Sequence, residues 1–406
     1  MDRIARAGDL KVRLLEFGLE PRFAAEREAA LAEASDETAE DGVVASQLID
    51  SFLLEHELAG GGTVLDRFVA ARTDLSDEDR EMLLAWRDPV EGVFRVDARE
   101  DGALVTFNLV DEQVYRMHSN LGAEGTAPVG VGEFLMTRLV PVGEDWMISG
   151  EPVAFAAEDA ADVYVIAEEL AWEHPEQVFR NPEKLAEGWR LQAEHRDSFI
   201  ELFGSDEIVV PAEELAERME ELDRHHYERT REPGSPEWDD FVGEAGSRAD
   251  LHVEEWAEAE TTGLIYDPEE GLGVYADFGL AEEAFADPDL VVKRRYRDVI
   301  SMYVRDETVP PVPIRRLAAR DTAKADRVFR TLLNKPNFSW ERDGEDLLRR
   351  YKPEHYENPP LPLMLPQPGY APPQDGAEGQ EGAGRGEGGH EDGSAGGTAE
   401  DVGARG

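Results

Sequence analysis

Between Val90 and Phe155 apolar and polar residues alternate with a period of two, and on both sides of this stretch apolar residues recur at helical spacing. Phe94 and Val96 alternate with Arg95 and Asp97. Ala103, Val105, Phe107 and Leu109 fall on one face of a strand, with Leu104, Thr106 and Asn108 on the other. Tyr115 and Met117 continue the pattern, followed by Phe134, Met136 and Val140, by Trp146 and Ile148, and by Val153 and Phe155. Asp101-Gly102, Asp111-Glu112, Gly143-Glu144-Asp145 and Ser149-Gly150 separate these runs with turn-forming residues. Short strands at this spacing predict a small antiparallel β-barrel, since closure removes exposed sheet edges. An open meander covered by helices is the alternative.

The flanks read as helix. Before the strands, Leu14, Leu15 and Phe17 precede a break at Gly18 and Pro21, and an Ala/Glu-rich run continues to Ala34. Asp36 to Asp41 is expected as an acidic turn or loop. Val43 to Leu58 is expected as helix, with Leu48, Phe52 and Leu53 on a face. Thr63 can cap the next helix, and Ser76-Asp77-Glu78-Asp79 is a capping-box start ahead of Met82, Leu83 and Trp86. Asp88-Pro89 then ends the helix. After Phe155, helices are expected over 157–172 and 182–203, after Pro211 (with Leu215, Met219 and Leu222 on one face), and over 247–260. Gly204 is expected as a C-cap and Ile208–Val210 as a short strand. A hairpin is expected at Leu264–Tyr266 and Val274-Tyr275. Val292, Tyr296, Ile300 and Tyr303 predict a helix from Leu290 to Val304, and Asp321 can cap another. A last short helix is expected over 344–351, and Val309–Pro313 reads as an extended connector.

From about Glu357 the chain is Pro-rich, and beyond Pro366 it is Gly, Glu, Asp and Ala with almost no large apolar residue. Such a segment buries too little surface to offset its ordering entropy, so a disordered tail is expected. The resulting expectation is an α+β protein, mostly helical, with a small antiparallel β-barrel insert and a disordered acidic C-terminal tail. Its parts are 1–87 (helical), 88–156 (barrel), 157–262 (helical), 263–355 (hairpin and basic helices) and 356–406 (tail).

Charge changes this picture most. The chain has 41 Lys and Arg against 90 Asp and Glu, a net charge of −49. Residues 1–292 carry −48, residues 293–352 carry +7 and residues 353–406 carry −8. One segment is basic in a chain otherwise strongly acidic. Such an acidic surface repels nucleic acid and anionic lipid. The complete absence of cysteine removes disulfides, thiolate nucleophiles and Cys-based metal sites. No apolar run is long enough to cross a bilayer, and the opening Met1–Arg6 leads into a charged stretch without a signal-peptide core. A cytoplasmic protein without membrane contact is expected.

Three groups of residues are candidates for chemistry. Lys293, Arg294 and Arg297 share one helix face, and Lys324 and Arg327 share another with Arg320 close by. Clustered guanidinium groups bind phosphate bidentately, so this 293–330 segment is a candidate anion site; docking against the acidic remainder is the competing reading. His225 and His226 lie near Glu217, Glu220, Glu221 and Asp223, and His252 precedes Glu254 and Glu255. None has the spacing that puts two ligands on one helix face, and His226 continues a core stripe. Arg116, His118 and Asn120 are candidates for a ligand mouth on the barrel, against a solvated outer face. The sequence has no Gly-x-Ser-x-Gly elbow, and Gly60–Gly62 lacks the Gly-Lys-Ser/Thr of a phosphate loop. No catalytic residue, cofactor or metal is assigned.

The run Arg80–Trp86 leading into Gly92–Val96, with Gly132–Leu135 and Arg138–Pro141 later, resembles a group of uncharacterised bacterial proteins in which a helical segment precedes a small barrel. Some of these end in a Cys-rich SEC-C-type zinc motif, which a chain without cysteine cannot carry. The resemblance implies no activity and transfers no functional residue. The expectation is a cytosolic interaction or scaffold protein with a protein partner. Phosphate or nucleotide binding through 293–330, and a His/carboxylate metal-dependent hydrolase, are the alternatives.

Overall fold

The structure is a computed structural model that describes residues 3–34, 42–231, 233–245 and 259–370. The fold is α+β. Five strands, β1 (Val90–Glu100), β2 (Ala103–Asn108), β3 (Val114–His118), β4 (Phe134–Val142) and β5 (Asp145–Phe155), pair in a ring that closes in the order β1-β2-β3-β5-β4. Four ladders are antiparallel. The fifth, between β3 and β5, is parallel and joins only Met117 to Trp146 and His118 to Met147. This corrects the all-antiparallel expectation for a geometric reason: directions that alternate around a ring return in register only for an even strand number, so a ring of five has one parallel seam.

Inside the ring pack Val90, Phe94, Val96, Leu104, Tyr115, Met117, Leu135 and Leu139. Thr106 and Asn108 point to the same side, because they pair with Val96 and Phe94. The polar-looking face of β2 is therefore the inner one. Thr106 Oγ1 donates to the Tyr115 carbonyl, and Asn108 Oδ1 accepts from the Val110 amide, while the buried Asn108 Nδ2 has no hydrogen-bond partner among the described residues. Gly92 makes room for Asn108: a Cβ there would lie 2.2 Å from its Oδ1.

Helices cover both outer sides of the ring. Val93 and Phe134 pack on Val163 and Ala167 of the helix Ala160–Glu173. Val140, Val142 and Met147 join the core of the N-terminal helices, of which Arg3–Gly18 buries Ala7, Leu10, Lys11, Leu14 and Phe17. Leu15, which reads as part of that stripe, is instead 37% exposed, and Lys11 takes a buried place. Both caps predicted for the N-terminal helices form: Thr63 with Asp66 and Ser76 with Asp79 are reciprocal capping boxes.

A second sheet, β6 (Glu207–Pro211), β7 (Thr261–Asp267) and β8 (Gly271–Ala276), contains the expected hairpin, with Ile208–Val210 as an edge strand. Phe199, Leu215, Leu222, Leu264 and Tyr266 form one core beside it. Ile265, Tyr275 and Phe278 open a larger one with Tyr296, Ile300, Tyr303, Leu317 and Phe329 of the basic region.

Three expectations in this region are corrected. The predicted helix from Leu290 breaks at Lys293, which is extended (ψ 136°); a 3-10 turn, Pro288–Val292, precedes the helix Arg294–Arg305, and Val292 is exposed. The predicted connector runs into a helix, Val312–Arg320, whose Pro313 sits in the first turn, where an amide hydrogen has no helical partner to lose. Residues 359–370, expected within a disordered tail, lie against the body as a strap without helix or strand. Proline limits the freedom such a segment loses on docking, and Leu361 and Leu365 supply apolar contact. The expected loop over 36–41, most of the helix over 247–260 and the tail beyond Tyr370 fall outside the described residues, apart from a few at their edges.

Candidate functional site

The six basic residues read from the sequence as an anion site are not gathered around one point; each makes a different contact. Lys293 lies over the Tyr296 ring, Arg294 pairs with Asp298, and Arg297 donates to the Val292 carbonyl. Arg320 bridges Glu207 and Glu282, Arg327 pairs with Asp289, and the half-buried Lys324 gives its amide to the Asp321 cap. The basic contact with the most carboxylate partners belongs to Arg316, which that reading did not include. Its guanidinium donates to both oxygens of Asp206 at 3.1 and 3.3 Å and lies 3.6 Å from Asp267 and 3.7 Å from Glu207. Arg196 also donates to Asp206, at 2.8 Å. Against the cost of burial, Arg316 and Arg196 hold the Asp206 carboxyl below its ordinary range. The basic segment is thus fastened by fork-shaped donors to the acidic edge of the second sheet.

A second polar cluster lies where the N-terminal helices meet the ring. Helical periodicity on Arg3–Gly18 puts Lys11 between Leu10 and Leu14 on the covered face, and the helix Gly42–Leu54 brings Asp50 opposite it. The two form an ion pair, and Ser149 of β5 donates to Asp50 Oδ1 at 3.0 Å. Arg138 of β4 reaches Glu91 at 2.9 Å and Glu55 at 3.0 Å, and lies 3.7 Å from Asp50. Burial pushes the Lys11 ammonium pKa down although Asp50 opposes it, and burial pushes the Glu55 carboxyl up against the pull of Arg138. Asp50 Oδ2 and Arg138 Nε are buried with no hydrogen-bond partner among the described residues.

This pair forms part of the wall of a groove of about 690 Å³ between both helices, the start of the 119–133 loop and β5. Its remaining walls are largely apolar: Val12, Leu15, Ile49, Ile148 and Pro152, with Leu121 at 75% exposure. Asn120, one of the three residues read as a ligand mouth, lines it. The other two, Arg116 and His118, line a neighbouring groove of about 630 Å³ together with Arg3, Asp101 and Asp145. Ser119 belongs to both. The parallel β3·β5 seam places Arg116 and His118 beside Asp145: Arg116 donates to Asp145 Oδ2 at 2.6 Å, and His118 Nε2 lies 2.9 Å from the same oxygen. Against burial, these contacts hold the Asp145 carboxyl below its ordinary range. A His–Asp pair on a groove wall can hold a proton or orient a donor, and no serine or threonine hydroxyl contacts the ring of His118 in the described contacts.

No family model, curated protein or solved structure matches this chain.

The histidines read as potential metal ligands lie elsewhere. His226 Nδ1 is 2.9 Å from Ser198 Oγ and its ring packs edge-on against His195, while His225 approaches Glu201 at 4.0 Å. Among the described residues no group of three or more His, Asp or Glu gathers in a metal-holding arrangement; His252, Glu254 and Glu255 are outside them. Lys11 and Asp50 were missed from the sequence. The available signal was a lysine within an apolar stripe, three residues before Leu14, in a chain with only six lysines.

Proposed function

We propose that this chain is a non-catalytic cytosolic interaction protein whose partner is a basic protein segment with an apolar anchor. In this reading the closed ring is a small β-barrel that serves as a frame, and the groove beside Lys11 and Asp50 is the docking surface. The observation that carries the reading is the internal use of Arg316 and Arg320. With Asp206, Glu207, Asp267 and Glu282 as their partners, both arginines face carboxylates of the chain itself, and the chain as a whole carries a net charge of −49, which suits a basic partner better than an anionic one. Exposed Val12 and Leu15 stand on the same helix as the exposed carboxylates of Asp9 and Glu16, which suits a partner carrying both Lys/Arg and Leu-like side chains.

A short lysine–leucine peptide is the probe. Binding is expected to weaken steeply between low and moderate salt and to fall about ten-fold in a Leu15→Ser/Leu121→Ser variant. Binding that ignores both changes, or no binding, overturns the reading.

The alternative of phosphate or nucleotide binding rests on Lys293, Arg294 and Arg297. Arg294 and Arg297 are exposed at the start of the helix Arg294–Arg305, where Arg294 is 93% exposed beside Asp298.

A further inference from the structure

The helices Arg294–Arg305 and Trp340–Tyr351 pack together. Each carries arginine in its last turn, Arg305 on one and Arg349 and Arg350 on the other, where a cation offsets the partial negative charge of a helix C-terminus. Tyrosine rings hold these side chains. The guanidinium carbons of Arg305 and Arg350 each lie 5.9 Å from the centre of the Tyr351 ring, and that of Arg349 lies 4.6 Å from the centre of the Tyr356 ring. Arg315 also flanks Tyr356, but its guanidinium forks onto Glu345 at 2.9 and 2.8 Å. Arg305, Arg349 and Arg350 are exposed, and none has a carboxylate within 4.0 Å among the described residues; Glu345 feels Arg349 from beyond that distance. Arg316, Arg320 and Arg327, by contrast, meet carboxylates directly. A guanidinium laid on a ring keeps its N–H edges free and has already lost part of its rotamer freedom, which lowers the cost of receiving an anion.

The chain itself supplies an anionic segment. After Tyr370 the sequence continues for 36 residues that hold eight Asp and Glu, two Arg and twelve Gly. The point from which they leave is fixed: Glu112 accepts the Gly369 amide at 2.6 Å, and Tyr370 donates to the Leu109 carbonyl at 2.8 Å. A Gly-rich chain of this length spans about 30–36 Å r.m.s. and presents its carboxylates at an effective concentration on the order of millimolar. Residues 1–292, with a net charge of −48, repel it. We propose that Arg305, Arg349 and Arg350 form an interaction surface for the chain's own acidic segment 375–401. Carboxylates of the segment exchange among the three guanidinium edges, so the attachment is electrostatic, salt-sensitive and independent of any one conformation. A tethered acidic segment on this surface also keeps outside polyanions off it.

The absence of cysteine makes the test direct. The full-length chain with Ser394→Cys carries a single photo-cross-linker, a benzophenone maleimide, and the attached residues are mapped by peptide mass spectrometry after irradiation. The expected result is attachment within one molecule, concentrated on residues 300–310 and 345–356. Arg305→Gln/Arg349→Gln/Arg350→Gln is expected to reduce it at least about five-fold, and so is salt at about 0.5 M. Glu387→Gln/Glu391→Gln/Asp392→Asn, which alters no residue of the folded body, is expected to reduce it as well. Attachment spread evenly over the surface, attachment centred on Lys293–Arg297, or attachment between two molecules overturns the proposal. A pattern that neither set of substitutions alters overturns it too.

Discussion

Arg316 donates to both carboxylate oxygens of Asp206, and through that fork the helix Val312–Arg320 is fixed to the entrance of β6. Glu207, next in the chain, takes Arg320. Two adjacent acidic residues thus receive two arginines spaced one helical turn apart, a match between strand entrance and helix face. The positive segment and the acidic remainder are in this sense complementary halves of one structure.

Asp206→Asn is therefore expected to cost about 1–2 kcal/mol, less than a fully buried charge pair because both partners retain some solvent. Arg316→Lys is also expected to destabilise, because a point ammonium cannot make the forked contact. Arg294→Ala, at a site almost wholly in solvent, should shift stability by no more than about 0.5 kcal/mol. Urea midpoints of the three variants check the ranking. Equal effects at Asp206 and Arg294 would remove the distinction.

Lys11→Met should destabilise the fold by about 3 kcal/mol, since Asp50 would remain buried beside only the distant Arg138 and the Ser149 hydroxyl. Adding Asp50→Leu should recover much of the loss, because no buried carboxylate is then left without its ammonium, and the Ser149 hydroxyl that loses its acceptor costs less than an unpaired charge. Chemical denaturation of the single and double variants gives the coupling; a double variant worse than the sum of the singles would contradict it.

Lys352 offers a test by pH. It is fully buried, its Nζ donates to the carbonyls of Asp306 and Val309, and burial pushes its pKa down from 10.5 to about 8. Between these values the unfolded chain holds a proton that the folded chain has released. Stability attributable to Lys352 therefore rises as pH goes from about 8 to 10.5. The stability difference between the native chain and Lys352→Met should shift in favour of the native chain between pH 7 and about pH 9.5. Tyrosine ionisation is common to both and cancels. A difference independent of pH would show that the proton is not linked to folding.

Much of the fold is legible in the residues. Thr63 and Ser76 announce their helices because a cap is local chemistry, and the alternation through Phe94 and Val96 locates the strands. What the residues do not disclose is set by tertiary partners. Thr106 and Asn108 look like an outer face until Gly92 and the Tyr115 carbonyl are placed beside them. The parallel seam that joins Arg116 and His118 to Asp145 follows from the number of strands in the ring, which no local pattern encodes. The buried Lys11 looks like a surface lysine until Asp50, 39 positions away in the sequence, pairs with it. The strap reads as tail because its order depends on Gln192, Lys184 and Glu112, all distant in sequence.

Titration of the full chain at low and moderate salt with a polyanion, single-stranded DNA, and in parallel with a polycation, polylysine, tests most directly whether the positive charges are held internally. The expected result is no complex with DNA and a salt-sensitive complex with polylysine. A tight DNA complex that is lost in Arg294→Ala/Arg297→Ala would contradict it, since the basic segment would then bind an outside polyanion despite the acidic remainder of the chain.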